Sequence, residues 1–157
     1  MSYDIVLDKS NFPLDTAIAY AKQYYNKETF DHAMRVMGYV ATNAAIPQQY
    51  KMPCMALAVM HDLVEDTEFK GKYISNNYEI FRIALEKLTK PKQMSYKDYC
   101  RNLSASCSDR HSLENHNAAV LMAYWVKLAD MKDHLTLKET LTDKLKEKYL
   151  EGLAELL

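Results

Sequence analysis

Residues that break helices are scarce in this sequence, with 3 Gly and 4 Pro among 157 residues. Few breakers favour long helices, and no stretch shows the sustained period-2 alternation that marks a half-buried strand. The length fits one domain, which can bury roughly 68–70% of the surface that its unfolded chain exposes. We therefore predict an all-α fold with a single domain over residues 1–157.

Hydrophobic periodicity and helix-capping residues divide the chain into predicted helices and connectors. The predicted helices cover residues 13–25, 30–45, 53–66, 78–88, 95–102, 118–135 and 141–157. Thr29 and Thr142 are the expected N-caps of the second and last helices, because a threonine hydroxyl can accept a hydrogen bond from a free amide of the first turn. The almost wholly polar stretch 104–117 is the strongest loop prediction.

Charge and cysteine content limit the class of protein. The formal net charge of −1 combines 20 basic and 21 acidic side chains, so we expect no nucleic-acid partner. Cys54, Cys100 and Cys107 form no CxxC pair, which favours free thiols in a reducing, cytoplasmic setting. The sequence shows neither a signal-peptide pattern at MSYDIVLDKSNF nor an apolar run near 18 residues, so we expect no membrane span.

The segment HDLVED, residues 61–66, carries the densest group of polar side chains. On a continuous helix, positions 61, 62, 65 and 66 would fall within an arc of about 140°. Like charges one turn apart destabilise a helix, and the seven residues before His61 are all apolar. A bound cation is the simplest way to stabilise such a group at the end of a buried helix. The alternative is a solvated acidic patch.

His32 and Asp130 extend this group. His32 shares a helical stripe with Val36 and Val40, so it faces the core, where the alternative is a histidine bonded to a backbone carbonyl. Asp130 ends a strongly apolar helix, and a buried carboxylate needs a partner or a metal. Its alternative is a salt bridge to Lys127 or Lys132, which we expect to lie on another face.

Two imidazoles and two carboxylates from His32, His61, Asp62 and Asp130 form a mixed N/O donor set. Such a set suits Mn²⁺, Fe²⁺, Ni²⁺ or Zn²⁺ better than Ca²⁺. The order H…HD…D resembles the HD superfamily of metal-dependent phosphohydrolases. Within it, HDLVEDT (61–67), LTK (88–90) with the following SYKDYCRN, and WVKLADMKDHL (125–135) are similar to segments of alarmone hydrolases. These are the hydrolase domain of RelA/SpoT-type proteins and their small stand-alone relatives.

The resemblance implies an HD-domain helical bundle and a specific reaction. His32, His61, Asp62 and Asp130 would bind one divalent metal, with Mn²⁺ expected first and Fe²⁺, Ni²⁺, Zn²⁺ or Co²⁺ as alternatives. Glu65 and Asp66 would be the catalytic acidic pair. The implied reaction releases pyrophosphate from the 3′ position of guanosine tetra- or pentaphosphate, so the expected partner is a small nucleotide. The resemblance does not decide whether the chain forms a homo-oligomer.

The resemblance also suggests substrate contacts. The candidates are Lys27, Lys90, Tyr99, Arg101, Lys127 and His134. His134 stands where the family usually has Asn, and the approach to His32, NKETFD, is shorter than the family's basic one. Arg110 in the polar stretch could reach a substrate phosphate, and the alternative there is a solvated loop.

Other functions stay open beside the alarmone hydrolase. The His134 departure favours an HD phosphohydrolase acting on another nucleotide or phosphoester. A catalytically silent HD module that binds a nucleotide is the third hypothesis, and a helical protein without a metal is the fourth.

Overall fold

The computed structural model describes residues 9–106, 115–137 and 141–157. Within these ranges the regular structure is helical and contains no strand, so the all-α prediction is confirmed. The helices are α1 (Leu14–Tyr24), α2 (Lys27–Ala41), α3 (Gln48–Met60), α4 (Leu63–Asp66), α5 (Glu79–Lys87), α6 (Tyr96–Ser106), α7 (Asn115–Thr136) and α8 (Asp143–Leu156). Short 3₁₀ turns at Gly71–Tyr73 and Asn76–Tyr78 lie between α4 and α5.

Helices α3 and α7 form the centre of the bundle. Helix α7 packs against α2, α3, α5, α6 and α8, and α3 also packs against α1 and α2. The second half of α3, from Cys54 to Met60, is almost wholly buried, as expected for a helix that is apolar on all sides. Among the residues the structure describes, no helix is both long and apolar enough to cross a membrane.

Several predicted helix boundaries are wrong. Helix α2 begins at Lys27 because the side chain of Asn26 accepts a hydrogen bond from the Thr29 amide at 2.8 Å, so Asn26 is the N-cap and Thr29 lies in the first turn. Helix α2 also ends at Ala41 rather than at residue 45. Helix α3 begins five residues before Pro53, which lies inside it.

Both ends of the predicted loop 104–117 are helical, and its residues 107–114 lie outside the described ranges. Helix α6 continues to Ser106 and α7 begins at Asn115. Arg110 lies outside the described residues. The predicted cap of the last helix is confirmed, since the Thr142 hydroxyl accepts a hydrogen bond from the Leu145 amide at 3.1 Å.

Candidate metal centre

A two-residue turn at His61 and Asp62 separates α3 from α4, with both backbones still in the right-handed helical region. Helix α3 stops at Met60, and α4 begins again at Leu63. The expected continuous helix across residues 61–66 is therefore wrong. Asp62 and Asp66 nevertheless stay one turn apart, because the Asp66 amide donates to the Asp62 carbonyl at 2.9 Å. The turn leaves His61 1% exposed while the Asp62 side chain is 25% exposed.

A hydrogen bond to the backbone of α3 fixes the orientation of the His61 ring. Its Nδ1 atom lies 2.6 Å from the carbonyl oxygen of Ala58, which can only accept, so Nδ1 carries a hydrogen. Nε2 then faces the carboxylates, 3.0 Å from Asp62 Oδ2 and 3.2 Å from Asp130 Oδ1. A backbone partner on one ring nitrogen commonly fixes which nitrogen a histidine offers to a metal.

His32 lies on the opposite side of the same cluster. The prediction that it faces the core is confirmed, and its partners are carboxylates rather than a backbone carbonyl. Nε2 is 2.8 Å from Asp130 Oδ1, while Nδ1 is 2.6 Å from Asp133 Oδ2. Arg35 donates to both oxygens of Asp133, from Nε at 2.8 Å and from Nη2 at 3.0 Å. Asp133 and Arg35 thus hold the ring that faces the cluster.

The four predicted ligands come together from three parts of the chain. One ligand atom from each of His32, His61, Asp62 and Asp130 lies within 4.8 Å of the other three. Helix α2 supplies the first, the turn between α3 and α4 supplies the next two, and α7 supplies the last. Two imidazole nitrogens and two carboxylate oxygens at this spacing could hold a divalent transition metal.

Asp130 also forms the salt bridge to Lys127 that was its alternative to a metal. Lys127 Nζ lies 3.1 Å from Asp130 Oδ2, and both residues are buried. The expectation that Lys127 lies on another face is wrong, because residues three apart share a face of a helix. Lys132 Nζ instead lies 4.7 Å from the centre of the Tyr39 ring. The salt bridge uses Oδ2 of Asp130, while Oδ1 faces the histidines.

The charges of the cluster shift the pKa values of its members. Burial would raise the pKa of Asp130, but the charges of Lys127 and His61 hold this pKa well below its usual range. Burial would lower the pKa of His61, but Asp62 and Asp130 raise it well above its usual value. Burial and the negative charges of Asp62 and Glu65 raise the pKa of Asp66. Asp66 therefore takes up a proton more readily than an ordinary aspartate.

Two clefts adjoin the cluster. The first has a volume of about 200 Å³ and the second about 190 Å³, and Asp62, Asp66 and His134 line both. Lysines and tyrosines dominate the wall of the first cleft: Lys90, Lys127, Lys148, Tyr96, Tyr99 and Tyr149. This wall combines positive charge with aromatic surface. The second cleft extends past His32 and Arg35.

The candidate catalytic pair lies at the first cleft. The side chains of Glu65 and Asp66 line it beside the candidate ligand Asp62, and both are exposed, although neighbouring atoms still bury part of Asp66. The backbone amide of Lys90 donates to Glu65 Oε2 at 3.1 Å, which orients that carboxylate. The Lys90 ammonium bonds the carbonyl oxygen of Met94 at 2.8 Å.

The predicted substrate contacts divide into two groups. Lys90, Tyr99, Lys127 and His134 line the first cleft. Lys27 and Arg101 are not among the residues that line either cleft. Their partners are carboxylates at the surface, since Lys27 Nζ lies 2.9 Å from Asp31 and Arg101 binds Glu155 through two nitrogens at 3.1 and 3.2 Å.

Helix α8 forms part of the wall of the first cleft, which the sequence did not predict. Lys148 and Tyr149 reach the first cleft from this helix. Gly152 permits the close packing, because a Cβ atom there would lie 2.6 Å from Tyr96 Cε1 on α6. The amphipathic pattern of α8 predicts a buried face, but it does not indicate which neighbour that face meets.

Comparisons with protein-family models, with curated proteins and with solved structures give no match for this chain.

Proposed function

We propose that this protein is a metal-dependent phosphohydrolase. The observation that carries the proposal is the position of the Glu65 and Asp66 carboxylates beside the four-residue cluster. Both carboxylates line the first cleft, and three lysines line the same cleft. A plain acidic patch would need neither the buried imidazoles nor the cationic wall.

The donor set fits a divalent metal, which, when bound, supplies Lewis-acid charge and lowers the pKa of water toward neutrality. Phosphoryl transfer depends mainly on positioning and on neutralisation of charge. Lys127 contributes a buried positive charge, and Lys148 contributes one at the cleft wall, where its Nζ lies 4.8 Å from the centre of the Tyr96 ring. These cations suit a substrate with more than one phosphate.

The acidic pair has two separate tasks in this proposal. Glu65, oriented through Oε2 by the Lys90 amide, accepts a proton from the attacking water. Asp66 would donate a proton to the leaving oxygen, a role favoured by the rise in its pKa from partial burial and from the charges of Asp62 and Glu65. Because Asp66 lines both clefts, it can reach a leaving group on either side of the cluster.

The particular reaction we propose is release of pyrophosphate from a 3′-pyrophosphorylated guanosine nucleotide, as in the alarmone hydrolases that the sequence resembles. The adjacent Glu65 and Asp66 support this reaction. His134 favours a second candidate, hydrolysis of another nucleotide or phosphoester, because it occupies the place of the usual Asn at the junction of the two clefts.

A product assay separates these reactions. The protein is incubated with Mn²⁺ and a panel of 3′-pyrophosphorylated and ordinary nucleotides, with Glu65→Gln and a chelator as controls. Pyrophosphate from the first group, absent in both controls, supports the alarmone reaction. Orthophosphate from ordinary nucleotides supports the second candidate. Binding without turnover for any divalent metal would contradict an enzyme and favour a nucleotide-binding module.

A further inference from the structure

His134 lies in the last turn of α7, next to the four residues of the candidate metal centre. It lies one helical turn after Asp130, and its Nε2 atom is 3.2 Å from Asp130 Oδ1. Residues four apart on a helix commonly supply two ligands to one metal, as the paired histidines of HExxH motifs do. The spacing of Asp130 and His134 meets this requirement.

Three imidazoles converge on one carboxylate oxygen. The Nε2 atoms of His32, His61 and His134 lie 2.8, 3.2 and 3.2 Å from Oδ1 of Asp130. Neighbouring ligand atoms of a six-coordinate ion with bonds of about 2.1 Å lie about 3 Å apart. His134 Nε2 therefore lies as far from Asp130 Oδ1 as His61 Nε2 does, although His134 stands outside the four residues whose ligand atoms all lie within 4.8 Å of one another.

The ring of His134 is held in this orientation. It stacks on Tyr149 with the ring centres 4.5 Å apart and the planes within 7°. The His32 ring is also close, with its centre 4.6 Å from that of His134 and the planes tilted by 36°. The side chain is 34% exposed, so it retains access to both clefts.

We propose that His134 is a further ligand of the metal, which gives the site three imidazoles instead of two. The inference rests on the proposed metal-dependent function, because it adds a ligand to the same ion. Imidazole ligands suit Zn²⁺, Ni²⁺ and Fe²⁺, whereas carboxylates suit Mn²⁺ and Mg²⁺. The third imidazole therefore favours binding of Zn²⁺, Ni²⁺ or Fe²⁺ over binding of Mn²⁺ or Mg²⁺.

The test counts ligating rings directly. The full chain contains 5 histidines and can be labelled with ¹⁵N-histidine, then titrated with Zn²⁺ alone. Nε2 resonances of three rings should shift in the parent, and two in His134→Asn. Zn²⁺ affinity, measured by competition with a chelating dye, should fall about 10-fold in His134→Asn, while Mn²⁺ affinity changes less. Tyr149→Phe is the matched control, since it keeps the stacked ring and should retain three shifted resonances.

The outcomes distinguish the two proposals. Two shifted resonances in the parent, with unchanged Zn²⁺ affinity in His134→Asn, would overturn the third ligand and leave the four-ligand site intact. No shifted resonance with any amount of Zn²⁺ would overturn the metal site itself. The parent spectrum decides the question even if the variant folds poorly.

Discussion

The Nδ1 atom of His32 lies 2.6 Å from a carboxylate oxygen of Asp133, and Arg35 holds that carboxylate through two nitrogens. Loss of such an outer partner typically lowers metal affinity 10–100-fold. We expect a decrease of about this size in Asp133→Asn, because the neutral amide neither supports His32 as strongly nor pairs with Arg35. Isothermal titration with Zn²⁺ or Mn²⁺ measures it.

Asp31→Asn is the control for this prediction, because Asp31 lies on the same helix and pairs with exposed Lys27. Its metal affinity should equal that of the parent. Equal affinity in Asp133→Asn would show that Asp133 does not support the site.

Glu65→Gln should lose turnover and keep its metal. Removal of a general base typically costs about 10²–10⁴-fold in rate, while the cluster of ligands stays complete. The measurements are kcat with the substrate found by the product assay and metal content after gel filtration. Glu68→Gln, an exposed carboxylate on the same segment, should leave both unchanged. Activity within a few-fold of the parent would argue against the proposed role of Glu65.

Lys127→Met should destabilise the metal-free protein. Lys127 and Asp130 are 7% and 4% exposed, so the substitution leaves a buried carboxylate without its lysine. Breaking a buried pair outright costs about 3–5 kcal/mol, and we expect a smaller loss here because three imidazoles still contact Asp130 Oδ1. Urea unfolding monitored by circular dichroism measures the change. Lys132→Met, at an exposed position on the same helix, loses only the contact of Nζ with the Tyr39 ring and should change the free energy of unfolding by about 1 kcal/mol or less.

Metal affinity should increase as the pH rises. Burial lowers the pKa of His61, but Asp62 and Asp130 raise it well above its usual value in the metal-free protein. A proton on Nε2 competes with the metal below that raised pKa, so binding releases protons and strengthens with pH. Titration calorimetry in two buffers with different ionisation enthalpies gives the number of protons released. A value of zero near neutral pH would contradict the pKa direction.

Gly152→Ala should weaken the packing of α8 on α6 and lower the free energy of unfolding. The added Cβ atom would meet the Tyr96 ring at 2.6 Å, and overpacking of this kind costs about 1–3 kcal/mol. Gly38→Ala is a matched control with the opposite sign: a Cβ atom there meets nothing within 4 Å, and alanine in a helix interior is favoured by about 0.5–1 kcal/mol. Thermal unfolding of both variants measures the difference. A stabilised Gly152→Ala would mean that α8 does not pack closely on Tyr96.

The four residues of the candidate metal centre could be predicted because each has a local signature. His32 and Asp130 interrupt apolar stripes, and His61 and Asp62 follow a run of apolar residues. Periodicity could not reveal the turn at His61 and Asp62, since the helical pattern continues through it into α4. The sequence also does not locate the N-cap of α2, because Asn26 and Thr29 are both good capping residues. Only Asn26 adopts the extended backbone that capping needs.

The supporting contacts depend on long-range packing. Arg35 and Asp133 are 98 positions apart in the chain, and no local pattern links them. Asp133 could have been suspected, because it lies three residues after Asp130 on the same helical face. Lys148 and Tyr149 reach the cleft only because α8 docks closely on α6, which no sequence pattern indicates.

The packing of α8 on α6 and α7 has a thermodynamic consequence. A ligand that filled the first cleft would touch all three helices, because Tyr96, Lys127 and Tyr149 line the same space. Occupancy of the cleft and docking of α8 would then be linked equilibria, in which each stabilises the other by the same free energy. Binding in this cleft would therefore raise the stability of the C-terminal helix as well as that of the cluster beside it.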